Sequence, residues 1–178
     1  AVLFDENSLY VAKSSATNPA SPLIFVDTTT KETVPITLSA NVAYSLNYDK
    51  DNNNGIMYGI SVSEDENTVK TQLFSFKPET KTVSAILQLN DEDPDAFVML
   101  FDPFIYTNIG KNQILSYNLN TKTQFHYKRS ASLPLKIARN KDRLVVLNRD
   151  GSISWYNPAL ATVLTDWYMT NEGQWYEF

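Results

Sequence analysis

Cysteine is absent from the 178 residues, and histidine occurs once. The first absence removes disulfides, thiolate metal sites and cysteine nucleophiles. The second makes His126 the sole imidazole, so zinc sites built on His and Cys are excluded. A Ser-His-Asp triad would have to use that residue, yet no Gly-x-Ser-x-Gly motif accompanies it. Catalysis needs a constellation rather than a lone group, so His126 reads as an ordinary strand residue between Phe125 and Tyr127. Basic residues are outnumbered, fifteen against twenty acidic ones, and the net charge is −5. Phosphate binding needs clustered Lys and Arg, so a nucleic acid or anionic membrane is not the expected partner. No apolar run approaches the ~20 residues of a membrane helix, and no stretch carries a helical period. Glycine is scarce at five residues, while aromatics reach 12%. That composition belongs to a globular chain long enough for a sizeable core.

What is present is a repeat. An aromatic or branched strand runs into a Thr/Lys-rich turn at Ile24 to Lys31 (IFVDTTTK), Phe74 to Lys81 (FSFKPETK) and Leu115 to Lys122 (LSYNLNTK). A looser fourth copy spans Ser154 to Ala161 (SWYNPALA). With Val26, Phe76, Tyr117 and Tyr156 taken as equivalent, the spacings are 50, 41 and 39 residues. A period near forty built of short strands marks a blade-like unit. Before each copy lies an apolar run: Leu9 to Ala12, Ile56 to Ile60, Phe104 to Tyr106 and Leu144 to Leu147. Continuous runs of this kind predict strands buried on both faces. A further strand precedes each run and another follows each turn, with Asn, Asp, Gly and Pro at the corners. The unit is four antiparallel strands, and approximate boundaries are 1–40, 41–90, 91–130 and 131–178 within one domain. A sandwich or simple barrel would explain the strands but not the turn at a near-fixed phase.

Across essentially the whole chain the pattern resembles β-propeller repeats of the WD-like and quinoprotein-like kind. The Trp-Asp dipeptide at the strand end is replaced by Val26-Asp27, Phe76-Lys77, Tyr117-Asn118 and Tyr156-Asn157. The resemblance implies an all-β, propeller-like architecture of four repeats: a small ring, a half-ring completed by self-association, or a fragment of a larger propeller. An open arc would leave two bare blade faces. The tail repeats itself, with Trp167-Tyr168 echoed by Trp175-Tyr176 ahead of Phe178. These aromatics are candidates for assembly contacts, either as a further strand on the last sheet or as the opening of a fifth blade. The chain opens at Ala1 without Met or a signal peptide, as a mature or trimmed form would, or a piece cut from something longer.

Three segments invite chemistry. Asp49, Asp51 and Asn53 lie in a loop that resembles a calcium loop. Its Gly comes one residue late, and its later ligand positions fall on Met57 and Ile60, so a solvated hairpin loop is the reading preferred. Asn148 to Trp155 resembles the Asp-box of sialidase-like propellers, with Asp150, Ser154 and Trp155 in place. It sits between second and third strands rather than third and fourth, and its role in that family is structural. The densest constellation is acidic. Strand parity places Glu64, Asp65 and Glu66 at the same end of a sheet as Asp91, Glu92, Asp93 and Asp95. Carboxylates this dense attract cations, which suits a docking rim for a basic partner or a weak calcium site, and also two solvated loops.

The expected function is therefore non-catalytic, a module for protein–protein interaction or scaffolding that needs no cofactor. Carbohydrate binding or glycoside hydrolysis is the alternative, the latter requiring two carboxylates at fixed spacing. A Cys-free chain rich in Asn, Thr, Ser and Tyr suits a periplasmic, cell-surface or secreted setting.

Overall fold

The computed structural model describes residues 2–3, 5–12, 23–38, 40, 42–48, 55–65, 68–89, 97–109, 113–128, 134–140, 143–157, 162–169 and 175–177. Every extended element among them is a strand, and the one helical piece is a single 3-10 turn at Pro78–Thr80. The strands are gathered into four antiparallel sheets that follow one another along the chain. The first comprises β1 (Val2–Leu3), β2 (Ser8–Ala12), β3 (Leu23–Asp27) and β4 (Thr33–Ile36), in that order. The second comprises β5 (Val42–Tyr48), β6 (Met57–Asp65), β7 (Thr68–Lys77) and β8 (Thr82–Leu89). The third holds β9 (Val98–Phe101), β10 (Phe104–Ile109), β11 (Gln113–Asn118) and β12 (Gln124–Lys128). The fourth holds β13 (Pro134–Asn140), β14 (Arg143–Asn148), β15 (Ile153–Asn157), β16 (Thr162–Met169) and β17 (Trp175–Glu177). All four are open sheets in which sequence neighbours pair. Such meanders arise where short β-prone runs are separated by tight polar turns, because antiparallel neighbours need no crossover.

The repeated turn ends on a left-handed lysine in three sheets. Lys31, Lys81 and Lys122 all adopt the left-handed conformation, with φ of 63°, 53° and 59°. In the first sheet Lys31 N donates to Asp27 O at 2.8 Å, and Thr29 N and Thr30 N donate to Asp27 Oδ1 at 2.8 and 2.9 Å. The third sheet repeats this with Lys122 N to Asn118 O at 2.9 Å, and Asn120 N and Thr121 N to Asn118 Oδ1 at 2.9 and 3.1 Å. An Asx side chain that receives the backbone of the turn substitutes for a ladder bond. The next residue reaches the neighbouring hairpin: Thr28 N donates to Asn7 O, and Leu119 N donates to Pro103 O, each at 2.8 Å. In the second sheet Lys77 and Pro78 take these places, and the turn becomes the 3-10 piece closed by Lys81 N on Pro78 O at 3.2 Å.

Two compact units divide the chain, Ala1–Asp102 and Pro103–Phe178. In the first, Tyr10, Leu23, Ile36, Leu38, Ala43, Met57, Phe74 and Phe76 form one buried cluster. Tyr10 packs on Phe25 and Phe76 with ring centroids 5.4 and 5.2 Å away. Burying each such aromatic stabilises the fold by ~1.5–3 kcal/mol. A bulge in β5 puts Ser45 at φ 55° and aims its hydroxyl at β9. There Val98 N donates to Ser45 Oγ at 2.7 Å, tying β9 to the second sheet. In the second unit Tyr127 and Tyr156 meet edge to face at 5.7 Å, joining the third sheet to the fourth.

The apolar runs behave in two ways. Ile105, Tyr106, Thr107 and Asn108 of β10 are all buried, as are Ile114 to Tyr117 of β11. Both faces of these two central strands are covered, as continuous runs predict. In β14 burial alternates instead: Leu144 and Val146 are buried, Val145 is half-buried and Leu147 is exposed. In β2 only Tyr10 is fully buried. For these two strands the expectation of burial on both faces is not met within one chain.

Candidate functional site

The acidic end of the second sheet is set by strand register. Asp65 pairs with Thr68, which closes β6 and β7 into a tight turn. Leu89 pairs with Thr71, so β8 leaves the sheet at that same end. Glu64 and Asp65 are the last residues of β6. Glu66, Asp91, Glu92, Asp93 and Asp95 lie outside the described residues, as do Asp49, Asp51 and Asn53 of the calcium-like loop. Among the described residues no group of three or more His, Asp or Glu is placed to hold a metal ion.

The aromatic tail forms a further strand on the fourth sheet. Trp167 of β16 pairs with Glu177 of β17, Tyr168 with Tyr176, and Met169 with Trp175. Phe178 lies outside the described residues. His126 stands opposite Leu115 on the outermost strand of the third sheet and is exposed. The Asp-box-like segment is the turn between β14 and β15. Asp150 Oδ1 accepts from Ser152 N at 3.0 Å and from Ser152 Oγ at 2.6 Å. Asn148 Nδ2 donates to Ser152 Oγ at 2.7 Å and Ser154 Oγ at 2.9 Å. Gly151 takes φ 82°, which glycine adopts without strain. These bonds stay within seven residues of one hairpin and shape a corner.

A second polar cluster was not visible in the sequence. Tyr106, Tyr127 and Tyr156 are each at most 1% exposed. Register puts Tyr106 beside Ser116 and Tyr127 beside Ile114, on one face of the third sheet. Burial pushes the Tyr127 phenol up to about 12, and the neighbouring Tyr106 adds to the rise. Ser116 and Arg139 pull it back only partly. Tyr106 is raised by the same burial, against Arg139 and Ser116. The Arg139 guanidinium lies over the Phe104 ring, 5.2 Å from its centroid. Neutral phenols in a buried seam beside the Arg139 cation rigidify the contact of two sheets, and a phenol raised in this way is not an acid or base suited to pH 7. The signal for them is weak, because a tyrosine in an alternating strand reads the same in a core and in a site.

One face of the fourth sheet carries a partly exposed apolar surface. Period-two alternation puts Lys136, Ala138, Val145, Leu147, Ile153 and Trp155 on it, opposite the Tyr156 face. Leu147 is 41% exposed, and Arg143 covers Trp155 from 5.8 Å. A shallow apolar depression of about 130 Å³ opens between Lys136, Ala138, Val145, Leu147 and Ile153.

A family of uncharacterised proteins matches residues 99–170. An uncharacterized protein of Treponema pallidum (strain Nichols) is 30% identical over 87 residues, which cover 49% of this chain and 95% of that protein. Among solved structures, an auxiliary nutrient binding protein from Bacteroides thetaiotaomicron superposes with a TM-score of 0.65 at 13% identity, over 96% of this chain and 47% of that one. The computationally designed Ika8 protein superposes with a TM-score of 0.61 at 11% identity, over 99% of this chain and 56% of that one. The chain thus spans about half the length of these two structures. At such identities they are alike in fold alone.

Proposed function

We propose that this chain, which belongs to the same family as the uncharacterized Treponema pallidum protein, is a non-catalytic module of propeller-like blades that binds or scaffolds other proteins. Four consecutive antiparallel meanders, three of four strands and one of five, support the blade reading, together with the left-handed Lys turn that recurs between third and fourth strands of the first three. In propeller-like folds the sheets are rigid and function sits in the loops at the ends. The observation that carries the binding role is the acidic end of the second sheet, where β6 closes on Glu64 and Asp65 and β8 exits beside them. A basic segment docking there would gain on-rate from the field of these carboxylates, and its affinity would fall with salt.

The test is calorimetric titration with an oligo-lysine peptide at low and high NaCl. The wild type should bind, and more weakly in salt. A variant carrying Glu64→Ser, Asp65→Asn, Asp91→Asn and Asp93→Asn should lose most of that affinity while keeping its melting temperature, because exchanging crowded carboxylates for neutral polar groups relieves like-charge repulsion and costs little stability. Equal binding by both chains, or none by either, refutes the proposal.

A further inference from the structure

We infer that β8 is a docking edge, on which an extended segment of a partner protein pairs as an added strand of the second sheet, antiparallel to β8 and basic at its N-terminal end. This deepens the protein-binding role proposed above and rests on it. The second sheet ends on β8, and among the described residues no strand pairs with its far side. An open edge presents a row of unpaired N–H and C=O groups, and proteins ordinarily blunt it with short length, charge, proline or a covering element. The other described edges carry such devices. β1 has two residues, β9 four and β17 three. β4 contains Pro35, and β12 contains His126 and Lys128. β13 starts at Pro134 and carries Lys136 and Arg139. β5 lies against β9, whose Val98 N donates to Ser45 Oγ. β8 differs from all of these. Its eight residues read TVSAILQL, without charge or proline. Its bulge, at Ile86, leaves Thr82 to Ala85 in regular register with β7.

Register tells which groups point outward. Ser84 pairs with Ser75, and its carbonyl accepts from Ser75 Oγ at 3.4 Å, so its backbone groups turn toward β7. In an antiparallel ladder the residues on either side then turn theirs away. Val83 and Ala85 therefore present N–H and C=O at the open edge, and Thr82, Ser84 and Ala85 are exposed. Backbone pairing accepts any extended segment, so flanking charge selects among them. Leu89 ends β8 at the same end of the sheet as Glu64 and Asp65, and Asp91, Glu92, Asp93 and Asp95 follow it in sequence. At the opposite end Lys81 is exposed, next to the Lys77–Glu79 pair at 3.5 Å. Antiparallel pairing, the more stable per residue, brings the partner's N-terminal end to the carboxylates. The fitting chemistry is thus a basic N-terminal end followed by a β-prone run. The acidic end orients the added strand, and β8 holds it.

The probe is a synthetic peptide, Lys-Lys-Thr-Val-Thr-Val-Thr-Val-amide, and the readout is hydrogen exchange of Thr82–Leu89 in roughly 0.5 M NaCl, where attraction to the acidic end alone is screened. Saturating peptide should slow exchange at Val83 and Ala85 at least about tenfold. The same peptide N-methylated at two adjacent central residues loses a donor on each of its edges, and should bind at least about tenfold more weakly. Ala85→Pro removes an outward N–H, which edge strands tolerate, and should abolish the slowing while circular dichroism shows the β fold kept. If that variant unfolds, the methylated peptide decides alone. Unchanged exchange in β8 with peptide up to roughly 1 mM overturns the inference. So does equal binding by the methylated peptide. Slow exchange in β8 that grows with protein concentration in the absence of peptide also overturns it, by giving the edge to a second copy. Oligo-lysine bound as expected with β8 unchanged fails this inference alone. Slowing in β8 without oligo-lysine binding supports strand addition and fails the acidic-end reading alone.

Discussion

Gly59 sits in β6 directly opposite Phe74 of β7. A Cβ built on it would lie 2.7 and 2.9 Å from two Phe74 ring atoms and 3.0 Å from Leu46 Cδ2. The ring cannot swing away, because Phe74 is 2% exposed within the core of the first unit. Gly59→Ala therefore overpacks the core, at ~1–3 kcal/mol. Removing a strand glycine returns ~0.5–1 kcal/mol of backbone entropy. The net loss is about 1–2 kcal/mol, or roughly 3–6 °C in melting temperature for a chain of this size. Urea and thermal melts followed by far-UV circular dichroism measure it. The cause is then tested by a cycle with Phe74→Leu, which alone leaves a cavity. In the double variant the new methyl occupies part of that cavity, so the two losses should sum to less than their separate values by at least ~0.5 kcal/mol. A Gly59→Ala protein as stable as the wild type, or strictly additive losses, would refute the close-approach argument.

The left-handed turns predict the opposite sign: Lys31→Gly, Lys81→Gly and Lys122→Gly should each stabilise by ~0.5 kcal/mol, because relief of a strained φ exceeds the entropy that glycine loses. The three sites are on separate sheets, so the triple variant should melt a few degrees higher, and a lower melting point contradicts the turn geometry. Asn118→Ala should cost ~1 kcal/mol by removing the acceptor of Asn120 N and Thr121 N, whereas Asn118→Asp should keep it, as Asp27 does in the first sheet. The tyrosines predict an alkaline limit: with Tyr127 raised to about 12, its contribution is present below the ordinary phenol value near 10 and is lost as pH climbs toward 12. That loss reaches ~2–3 kcal/mol. Absorbance of tyrosinate at 295 nm should lag that of free tyrosine and then rise together with unfolding; early titration of every tyrosine would show that the seam is wet.

The turns were the most legible part of the chain. Asp27, Asn118 and the Thr/Lys residues behind them carry their structural reason locally, in bonds that span two to five residues. Strand existence was legible for the same reason, since branched and aromatic runs between such turns have few other conformations. Pairing of the tail with β16 was one of two readings left open, because Trp175-Tyr176 suits either a fifth strand or a new sheet. The tyrosine seam was illegible: whether Tyr127 meets Tyr156 depends on how two sheets stack, which no local pattern encodes. The acidic segment was legible as charge and as one end of a sheet, and register places Glu64 and Asp65 at the end where β8 leaves.

Leu144 to Leu147 teaches something further. The run predicts a strand covered on both faces, and β14 of a single chain is covered on one. Nothing local forces Val145 or Leu147 to be apolar, since a Thr or Lys there would suit an exposed strand as well and remove an aggregation hazard. Lys136 and Arg143 on the same face show that charge is tolerated at its border, while the centre stays apolar. The first sheet repeats this with Leu9 and Val26. Two faces thus carry the same apolar pairing without full burial within one chain. Such a run is composed for cover on both faces, and in β14 the composition and the exposure disagree on one of them.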